Sequence, residues 1–237
     1  YSRTVYDIEL LLPRKDSLLG ISMAVILQYA RGHGKSGGKI EQSVPIAEDG
    51  YDTISWIISQ SWSDGQVATF GRSALAKNQI NLGALRHPAH KVMLLSVPSW
   101  GIMEGLGGAW YYSQVLMWIY ITQNGPYNLP IEGVDWQSYF EKLPLTSAMD
   151  DLGSAQKYFK KIITSDFSSW SPRTGLQSIP KMDIPSLIFT GWWDHCQYGA
   201  IAFYEHLRKY GSKRQKKNTH LLVGPWHHTL ENTLNYD

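Results

Sequence analysis

One segment of the chain reads Gln66-Val67-Ala68-Thr69-Phe70-Gly71-Arg72-Ser73-Ala74-Leu75-Ala76. Its first half is typical of a β-strand, and the residues after Ser73 are typical of a helix start. Gly71, two positions before Ser73, permits a sharp turn that lifts the serine hydroxyl above the edge of a sheet. There the hydroxyl can attack a carbonyl, and the backbone N–H of Ala74 can point at the developing oxyanion. A Gly-x-Ser triplet is common by chance, however, and taken alone it favours Ser73 as an ordinary helix N-cap.

The rest of the chain alternates short apolar runs, rich in β-branched residues, with helical patterns. This alternation predicts the α/β class, with a mainly parallel sheet covered by helices. Strands are predicted at residues 23–29, 66–71, 92–97, 186–192 and 219–224. Helices are predicted at residues 51–59 and 199–210, where apolar side chains recur at helical spacing.

The alternation breaks between Pro98 and Met182, where no strand pattern occurs. Helical patterns cover residues 110–121, 136–142 and 154–163 instead. A helical insertion of this size between two core strands predicts a cap over the carboxyl ends of the sheet, where α/β folds carry their sites. The predicted division is a core of residues 1–98 and 183–237 with a cap of residues 99–182.

Composition excludes several classes of protein. The 237 residues include 22 Lys and Arg against 20 Asp and Glu, a formal net charge of +2, and only 18% are charged. This balance argues against nucleic-acid binding and against disorder, so the basic stretch 208–217 is interpreted as a solvated loop. Ten Trp and fourteen Tyr suit an apolar pocket as well as a core. Cys196 is the single cysteine, which excludes an intrachain disulfide.

Two other interpretations, a membrane span and a phosphate-binding loop, do not fit the sequence. The uncharged run 105–131 is interrupted by glycines and prolines, and its apolar part, 115–121, is too short to cross a bilayer. The Gly-Lys-Ser at 34–36 lacks the glycine that a phosphate-binding loop needs five positions before Gly34, where Tyr29 stands. Residues 1–6 show no signal-peptide pattern. The sequence therefore predicts a soluble protein without a membrane or nucleic-acid partner, and leaves its compartment and oligomeric state open.

Partners for a reactive serine follow two other predicted strands. Asp194 comes just after the strand 186–192, and His228 comes just after the strand 219–224. A serine needs a base, and a histidine base needs a carboxylate that fixes its tautomer. The order Ser, Asp, His is that of α/β-hydrolases. Taken separately, Asp194 could be a helix cap, and His227 and His228 could be surface-turn residues without a catalytic role. Because adjacent side chains point in different directions, at most one of the two histidines can be the base.

Segments spread over nearly the whole chain resemble the cocaine-esterase and X-prolyl dipeptidyl aminopeptidase family of α/β-hydrolases, which includes α-amino-acid ester hydrolases. The similar segments are Arg31-Gly32-His33-Gly34-Lys35-Ser36-Gly37, Asp49-Gly50-Tyr51-Asp52, Gln60-Ser61-Trp62-Ser63-Asp64-Gly65-Gln66-Val67, Gly71-Arg72-Ser73, Gly191-Trp192-Trp193-Asp194 and Gly224-Pro225-Trp226-His227-His228. The resemblance implies an α/β-hydrolase sheet with an inserted helical cap. It also implies that Ser73 is the nucleophile, Asp194 the orienting acid and His228 the base.

The resemblance carries two more expectations. The family takes a second oxyanion donor from a tyrosine in a Pro-Tyr-x-Arg/Lys element, which Tyr1-Ser2-Arg3 resembles, so Tyr1 is expected to act with the N–H of Ala74. The family's first strands and its C-terminal jelly-roll domain have no counterpart, so the chain is expected to be the catalytic core of a longer protein.

The chain also departs from the family pattern. Ala74 and Ala76 replace a tyrosine and a glycine after the nucleophile. Cys196 and Gln197 stand where the amino-ester hydrolases place carboxylates that bind a substrate ammonium. These replacements favour a simple acyl esterase.

The predicted function is therefore hydrolysis of carboxylic esters through an acyl-enzyme, on a small-molecule ester or peptide substrate and without cofactor or metal. An X-Pro dipeptidyl peptidase or amide hydrolase is the alternative within the family, and a non-catalytic binding protein is the alternative outside it. The aromatic residues expected to line the pocket are Trp100, Trp110, Tyr111, Trp118 and Trp193.

Overall fold

The computed structural model describes residues 1–6, 8, 23–40, 46–98, 111–165 and 182–229. Two short parallel strands, β1 (Ser2–Thr4) and β2 (Leu27–Tyr29), pair with each other. The backbone of Tyr1 joins β1 to β3 (Val67–Arg72), because its nitrogen donates to Ala68 O and its carbonyl accepts from Phe70 N–H. The chain thus places β2 on one side of β1 and β3 on the other, so a topological switch point lies between β1 and β3.

The sheet continues from β3 through β4 (His90–Ser96) and β5 (Ser186–Gly191) to β6 (Thr219–Gly224), with all neighbours parallel. The five predicted strands are confirmed, although the first is reduced to three residues. The three-residue strand β1 was not predicted, because Ser-Arg-Thr carries no apolar pattern.

Helices connect these strands. Before β3 comes α1 (Ile46–Ile58), between β3 and β4 lies α2 (Ala74–Ala84), and between β5 and β6 lie α6 (Gln197–Tyr210) and α7 (Lys213–Lys217). The two helices predicted at 51–59 and 199–210 are confirmed as α1 and α6, each starting earlier than its apolar pattern. Together these elements form the α/β-hydrolase fold that the sequence predicts.

The core lies between the sheet and the helices α2 and α6. Its largest fully buried members are Met93, Leu95, Met182, Ile80 and Phe203, of which the strands and helices contribute all but Met182. Each such side chain contributes about 1.5–3 kcal/mol by leaving water. This burial fixes α2 and α6 against the sheet, and with them the turns at their N-termini.

Residues 111–165, called the helical insertion below, have an apolar cluster of their own. They form α3 (Tyr112–Thr122), α4 (Trp136–Glu141), a 3-10 turn at Leu145–Ser147 and α5 (Gly153–Thr164). Their buried side chains include Leu116, Ile119, Met149, Phe159 and Ile162. The helical patterns are thereby confirmed, whereas the division into core and cap domains stays a prediction.

The helical insertion touches the sheet region through polar contacts. The side-chain amide of Asn128 donates to Val5 O at 3.0 Å, and a ring nitrogen of His33 lies 3.0 Å from Thr122 O. Within the described ranges, no helix has both the length and the apolar character that crossing a bilayer requires.

Candidate active site

Ser73 occupies a strained turn between β3 and α2. Its backbone angles are φ 58° and ψ −120°, a conformation that costs a non-glycine residue about 1–3 kcal/mol. Gly71 makes the turn possible, because a Cβ there would lie 2.5 Å from Leu75 Cβ. Ser73 takes the N-cap position of α2, but its side chain makes no capping hydrogen bond. The simple N-cap interpretation therefore fails, and the hydroxyl is left for another role.

Asp194 and His228 form a hydrogen-bonded pair. His228 Nδ1 lies 2.8 Å from Asp194 Oδ1, and the carboxylate also accepts from the backbone N–H of Cys196 at 3.0 Å and from the Thr190 hydroxyl at 3.3 Å. Asp194 is only 5% exposed. Burial alone would raise the pKa of Asp194, but the hydrogen bonds from His228 and Cys196 outweigh it and hold the pKa below its usual value. The carboxylate is therefore ionised at neutral pH.

The loops that carry this pair are fastened to each other. The N–H of Trp192 donates to Gly224 O at 2.9 Å, and the N–H of Trp193 donates to Trp226 O at 3.1 Å. Gly191 lets them approach, because a Cβ on it would overlap the Trp226 carbonyl. The loop after β6 thus packs directly against the end of β5.

Tyr6 connects the helical insertion to Ser73. Its hydroxyl shares a hydrogen bond with the Ser73 side chain and accepts one from Trp118 Nε1 at 3.0 Å. The phenol is also close enough to Cys196 to interact with it electrostatically. Burial raises the pKa of Tyr6, so the phenol keeps its proton and can donate it.

Ser73 and His228 therefore belong to one edge of the sheet. Besides the link through Tyr6, the side chain of Arg72 donates to Thr229 O at 3.3 Å, which joins the residue before Ser73 to the residue after His228. Parallel strands present their carboxyl ends at one edge, and Ser73 follows β3 beside the switch point. The structure thus brings the three predicted triad residues to neighbouring loops.

The expectation for Tyr1 is wrong. Its hydroxyl donates to Gln28 Oε1 at 2.7 Å, and its ring lies in the core beside Ile54 and Leu82. The tyrosine that reaches Ser73 is Tyr6, which follows β1 at the switch point. The N–H of Tyr6 donates to Thr4 Oγ1 at 2.8 Å, and this local turn helps to place it. Its position after a strand was the available signal, and it was missed because β1 itself was missed.

The role of the predicted pocket residues stays a prediction, and the structure gives the positions of three of them. Trp118 lies within one hydrogen bond of Tyr6, next to Ser73. Tyr111 and Trp193 are exposed, by 43% and 65%. Trp100 and Trp110 lie outside the described residues.

Two further side chains crowd the Asp194–His228 pair. The ring of His195 contacts that of His228, with centroids 4.2 Å apart and planes tilted by 32°, and His195 Nδ1 lies 3.6 Å from Asp194 Oδ1. Burial and the neighbouring His228 lower the pKa of His195 to about 4, so this ring is neutral at pH 7. Burial raises the pKa of the Cys196 thiol well above its usual value. One ligand atom from each of these four residues lies within 4.8 Å of the others, so they could hold a metal ion.

A buried polar network supports the turn from below. The Thr69 hydroxyl donates to Gln79 Oε1 at 2.8 Å, and the Gln79 amide donates to Leu94 O at 3.1 Å. His90 Nε2 lies 2.8 Å from the same Thr69 oxygen. The network ties β3, α2 and β4 together beneath Ser73.

Comparison with known proteins gives consistent results. A family model described as X-Pro dipeptidyl-peptidase (S15 family) matches residues 17–230. Cocaine esterase from Rhodococcus sp. (strain MB1 Bresler) is 25% identical over 233 residues, which cover 87% of this chain but 38% of the esterase. The chain therefore spans less than half the length of this relative.

Solved structures share the fold. An aminopeptidase from a marine sediment archaeon, Thaumarchaeota archaeon, superimposes with a TM-score of 0.79 at 20% identity, covering 96% of this chain and 43% of that one. An α-amino acid ester hydrolase superimposes with a TM-score of 0.72 at 21% identity, covering 100% and 44%. Because the family model spans most of its residues, the chain belongs to the X-Pro dipeptidyl-peptidase (S15) family of serine hydrolases.

Proposed function

We propose that this chain is the catalytic core of a serine hydrolase that cleaves carboxylic esters through an acyl-enzyme. Ser73 is the nucleophile, His228 the base and Asp194 the carboxylate that orients it. The observation that carries the proposal is the 2.8 Å contact between His228 and the buried Asp194, on loops joined to the strained turn at Ser73. The match to the S15 family model supports the same chemistry.

The roles follow from the hydrogen bonds. Because Asp194 is ionised, His228 donates its Nδ1–H to it, which leaves a lone pair on Nε2. Nε2 takes the proton of Ser73 as the serine oxygen attacks the ester carbonyl. The resulting imidazolium is stabilised by Asp194, and it returns the proton to the leaving alcohol. Water then attacks the acyl-enzyme with the same help from His228, and the carboxylic acid is released.

Two donors are available for the oxyanion. Ala74 begins α2, so its N–H has no carbonyl partner one turn earlier in the helix. Tyr6 brings a protonated phenol to the Ser73 oxygen. A carbonyl carbon bonded to that oxygen places its own oxygen beside both donors. Each such donor contributes about 2.7–4 kcal/mol to lowering the barrier.

An ester is favoured over an N-terminal peptide by the residues after Asp194. Peptidases that read a free amino terminus need a negative group for its ammonium, and Cys196 and Gln197 supply none. Cocaine esterase, by its name, acts on an ester. The name of the family model keeps X-Pro dipeptide cleavage as the second candidate.

Covalent labelling tests the proposal directly. A fluorophosphonate probe is expected to label the wild-type chain, and Ser73→Ala is expected to remove the label. Ser59→Ala, a change at an exposed serine just after the C-terminus of α1, controls for non-specific reaction and is expected to label like the wild type. A wild-type chain that stays unlabelled would instead support a non-catalytic binding protein.

Two chromogenic substrates then separate the candidates. Hydrolysis of p-nitrophenyl butyrate is expected to exceed that of Ala-Pro-p-nitroanilide in kcat/KM. The reverse order would establish the peptidase.

A further inference from the structure

Four side chains with metal-binding atoms meet beside the proposed base. Asp194, His195 and Cys196 are consecutive in the turn between β5 and α6, and His228 comes from the loop after β6. The proposed hydrolysis uses Asp194 and His228 but gives no task to the His195 ring or the Cys196 thiol. These two nevertheless lie with the catalytic pair, each offering a ligand atom within 4.8 Å of the other three.

We propose that these four residues form a binding site for zinc, and that bound zinc switches the hydrolase off. The inhibitory part rests on the proposed function, whereas the binding part does not. Zinc prefers four ligands drawn from sulfur, imidazole nitrogen and carboxylate oxygen in a tetrahedral arrangement, and this set contains all three kinds. A thiolate with two imidazoles also selects zinc over magnesium or calcium, which prefer oxygen.

The geometry needs only a small adjustment. With metal–ligand bonds of about 2.0–2.3 Å, neighbouring ligand atoms in a tetrahedral zinc site lie about 3.3–3.7 Å apart. Asp194 Oδ1 lies 3.6 Å from His195 Nδ1, which already matches this spacing, and 2.8 Å from His228 Nδ1, which is about 0.5 Å too short. The remaining pairs lie within 4.8 Å, so they need to close by at most about 1.5 Å, a movement within reach of side-chain rotation.

Charge and protons balance at the site. The Asp194 carboxylate and the Cys196 thiolate together carry −2, which cancels the charge of Zn²⁺ in this half-buried place. Both imidazoles bind as neutral rings. The thiol proton passes to solvent, so one proton is released for each zinc bound, and no oxidation or reduction occurs.

Zinc binding and catalysis exclude each other through His228. In the proposed mechanism the ring proton is on Nδ1 and the lone pair on Nε2 accepts from Ser73. A zinc ion on Nδ1 takes that position, so the one proton of the neutral ring moves to Nε2. The ring then has no lone pair for the Ser73 proton, and Asp194 is held by the metal.

Cobalt binding by the full chain tests the site without using activity. Co²⁺ occupies zinc sites, and a bound thiolate gives it a strong near-ultraviolet charge-transfer band. The wild type is expected to show this band at one Co²⁺ per chain, and zinc is expected to displace it. Cys196→Ser is expected to abolish the band and weaken binding at least tenfold, and His195→Gln is expected to weaken binding at least tenfold.

His220→Gln is the matched control, because His220 is exposed on β6 away from the cluster. It is expected to bind Co²⁺ like the wild type. Absence of a saturable band in the wild type would overturn the site, and so would equal affinity in the wild type, Cys196→Ser and His195→Gln.

Labelling of Ser73 by the fluorophosphonate probe tests the inhibition. Saturating zinc is expected to suppress labelling at least tenfold, with recovery after chelation. If the chain binds Co²⁺ but is never labelled, the proposed hydrolase fails and the metal site stands. If it is labelled but binds no Co²⁺, the metal site fails and the hydrolase stands. If zinc binds while labelling is unchanged, the inhibitory role is overturned.

Discussion

At the scale of single residues, the site depends on groups whose protonation is fixed by their surroundings. Asp194 is ionised because hydrogen bonds from His228 and Cys196 outweigh its burial. Tyr6 keeps its proton because burial raises its pKa. An acceptor that stays ionised and a donor that stays protonated are the two states that base activation and oxyanion binding require.

Removal of the Tyr6 hydroxyl tests its role as donor. Tyr6→Phe keeps the ring but loses the group that contacts Ser73 and accepts from Trp118. We expect kcat for p-nitrophenyl butyrate to fall by about 10²–10³, with little change in KM, because the donor acts on the developing oxyanion rather than on the bound ester. Tyr127→Phe, at a side chain that is 66% exposed, provides the matched control and should leave kcat unchanged. If kcat of Tyr6→Phe stayed within threefold of the wild-type value, the Tyr6 hydroxyl would not be an oxyanion donor, and the Ala74 N–H would act without it.

At the scale of elements, the ends of β3, β5 and β6 each carry one residue of the proposed triad, and glycines let the connecting loops approach. Gly71 clears space for the first turn of α2, and Gly191 clears space for the carbonyl of Trp226. Tight contact between β5 and the loop after β6 is therefore what sets the separation of His228 from Asp194.

Gly191→Ala tests this contact. Its Cβ would overlap the Trp226 carbonyl, so the loop after β6 must move away from β5. A displacement of about 1 Å at a catalytic group costs about 10²-fold in rate, and we expect kcat/KM to fall by that order. Gly37→Ala is the matched control, because a Cβ there meets nothing within 4 Å. Thermal unfolding of both variants separates loss of fold from loss of alignment. Wild-type kcat/KM in Gly191→Ala would contradict the role assigned to this contact.

Across the complete fold, local patterns predict five of the six described strands and the residues of the proposed triad. Ser73, Asp194 and His228 each follow a recognisable strand, so a parallel sheet brings them to one edge without any knowledge of side-chain packing. Tyr6 is different, because it follows a strand of three residues without an apolar pattern. Its neighbours Ser73 and Trp118 are 67 and 112 positions away, and such contacts depend on packing of separate elements rather than on any local signal.

The role of His90, the buried histidine in the network near the Ser73 turn, likewise could not be predicted from sequence patterns, because His90 belongs to an otherwise ordinary strand. Because the Thr69 hydroxyl donates its proton to Gln79, His90 Nε2 must donate to Thr69, and the ring is neutral with its lone pair on Nδ1. That Nδ1 has no hydrogen-bond partner among the described residues. Burial, with a smaller contribution from His87, lowers the pKa of His90 to about 3.

This histidine makes the stability of the molecule depend on pH. An unfolded histidine has a pKa near 6.5, so between about pH 6.5 and pH 3 the unfolded chain binds a proton that the folded chain does not. The free energy of unfolding therefore falls as the pH falls, by about 2 kcal/mol for this group between pH 7 and pH 5. His195 and Asp194, whose pKa values are also lowered by the fold, add to the loss in the same direction.

Comparison of the wild type with His90→Gln isolates the contribution of His90 to the pH dependence of the free energy of unfolding. His90→Gln keeps a donor for Thr69 but cannot take up a proton, so its free energy of unfolding should depend less steeply on pH, by about 2 kcal/mol over the same interval. Urea unfolding at pH 7, 6 and 5 measures both slopes, and any constant destabilisation of the variant cancels in the comparison. Identical slopes would mean that His90 is protonated in the folded state, and that the network beneath Ser73 is not the neutral one described above.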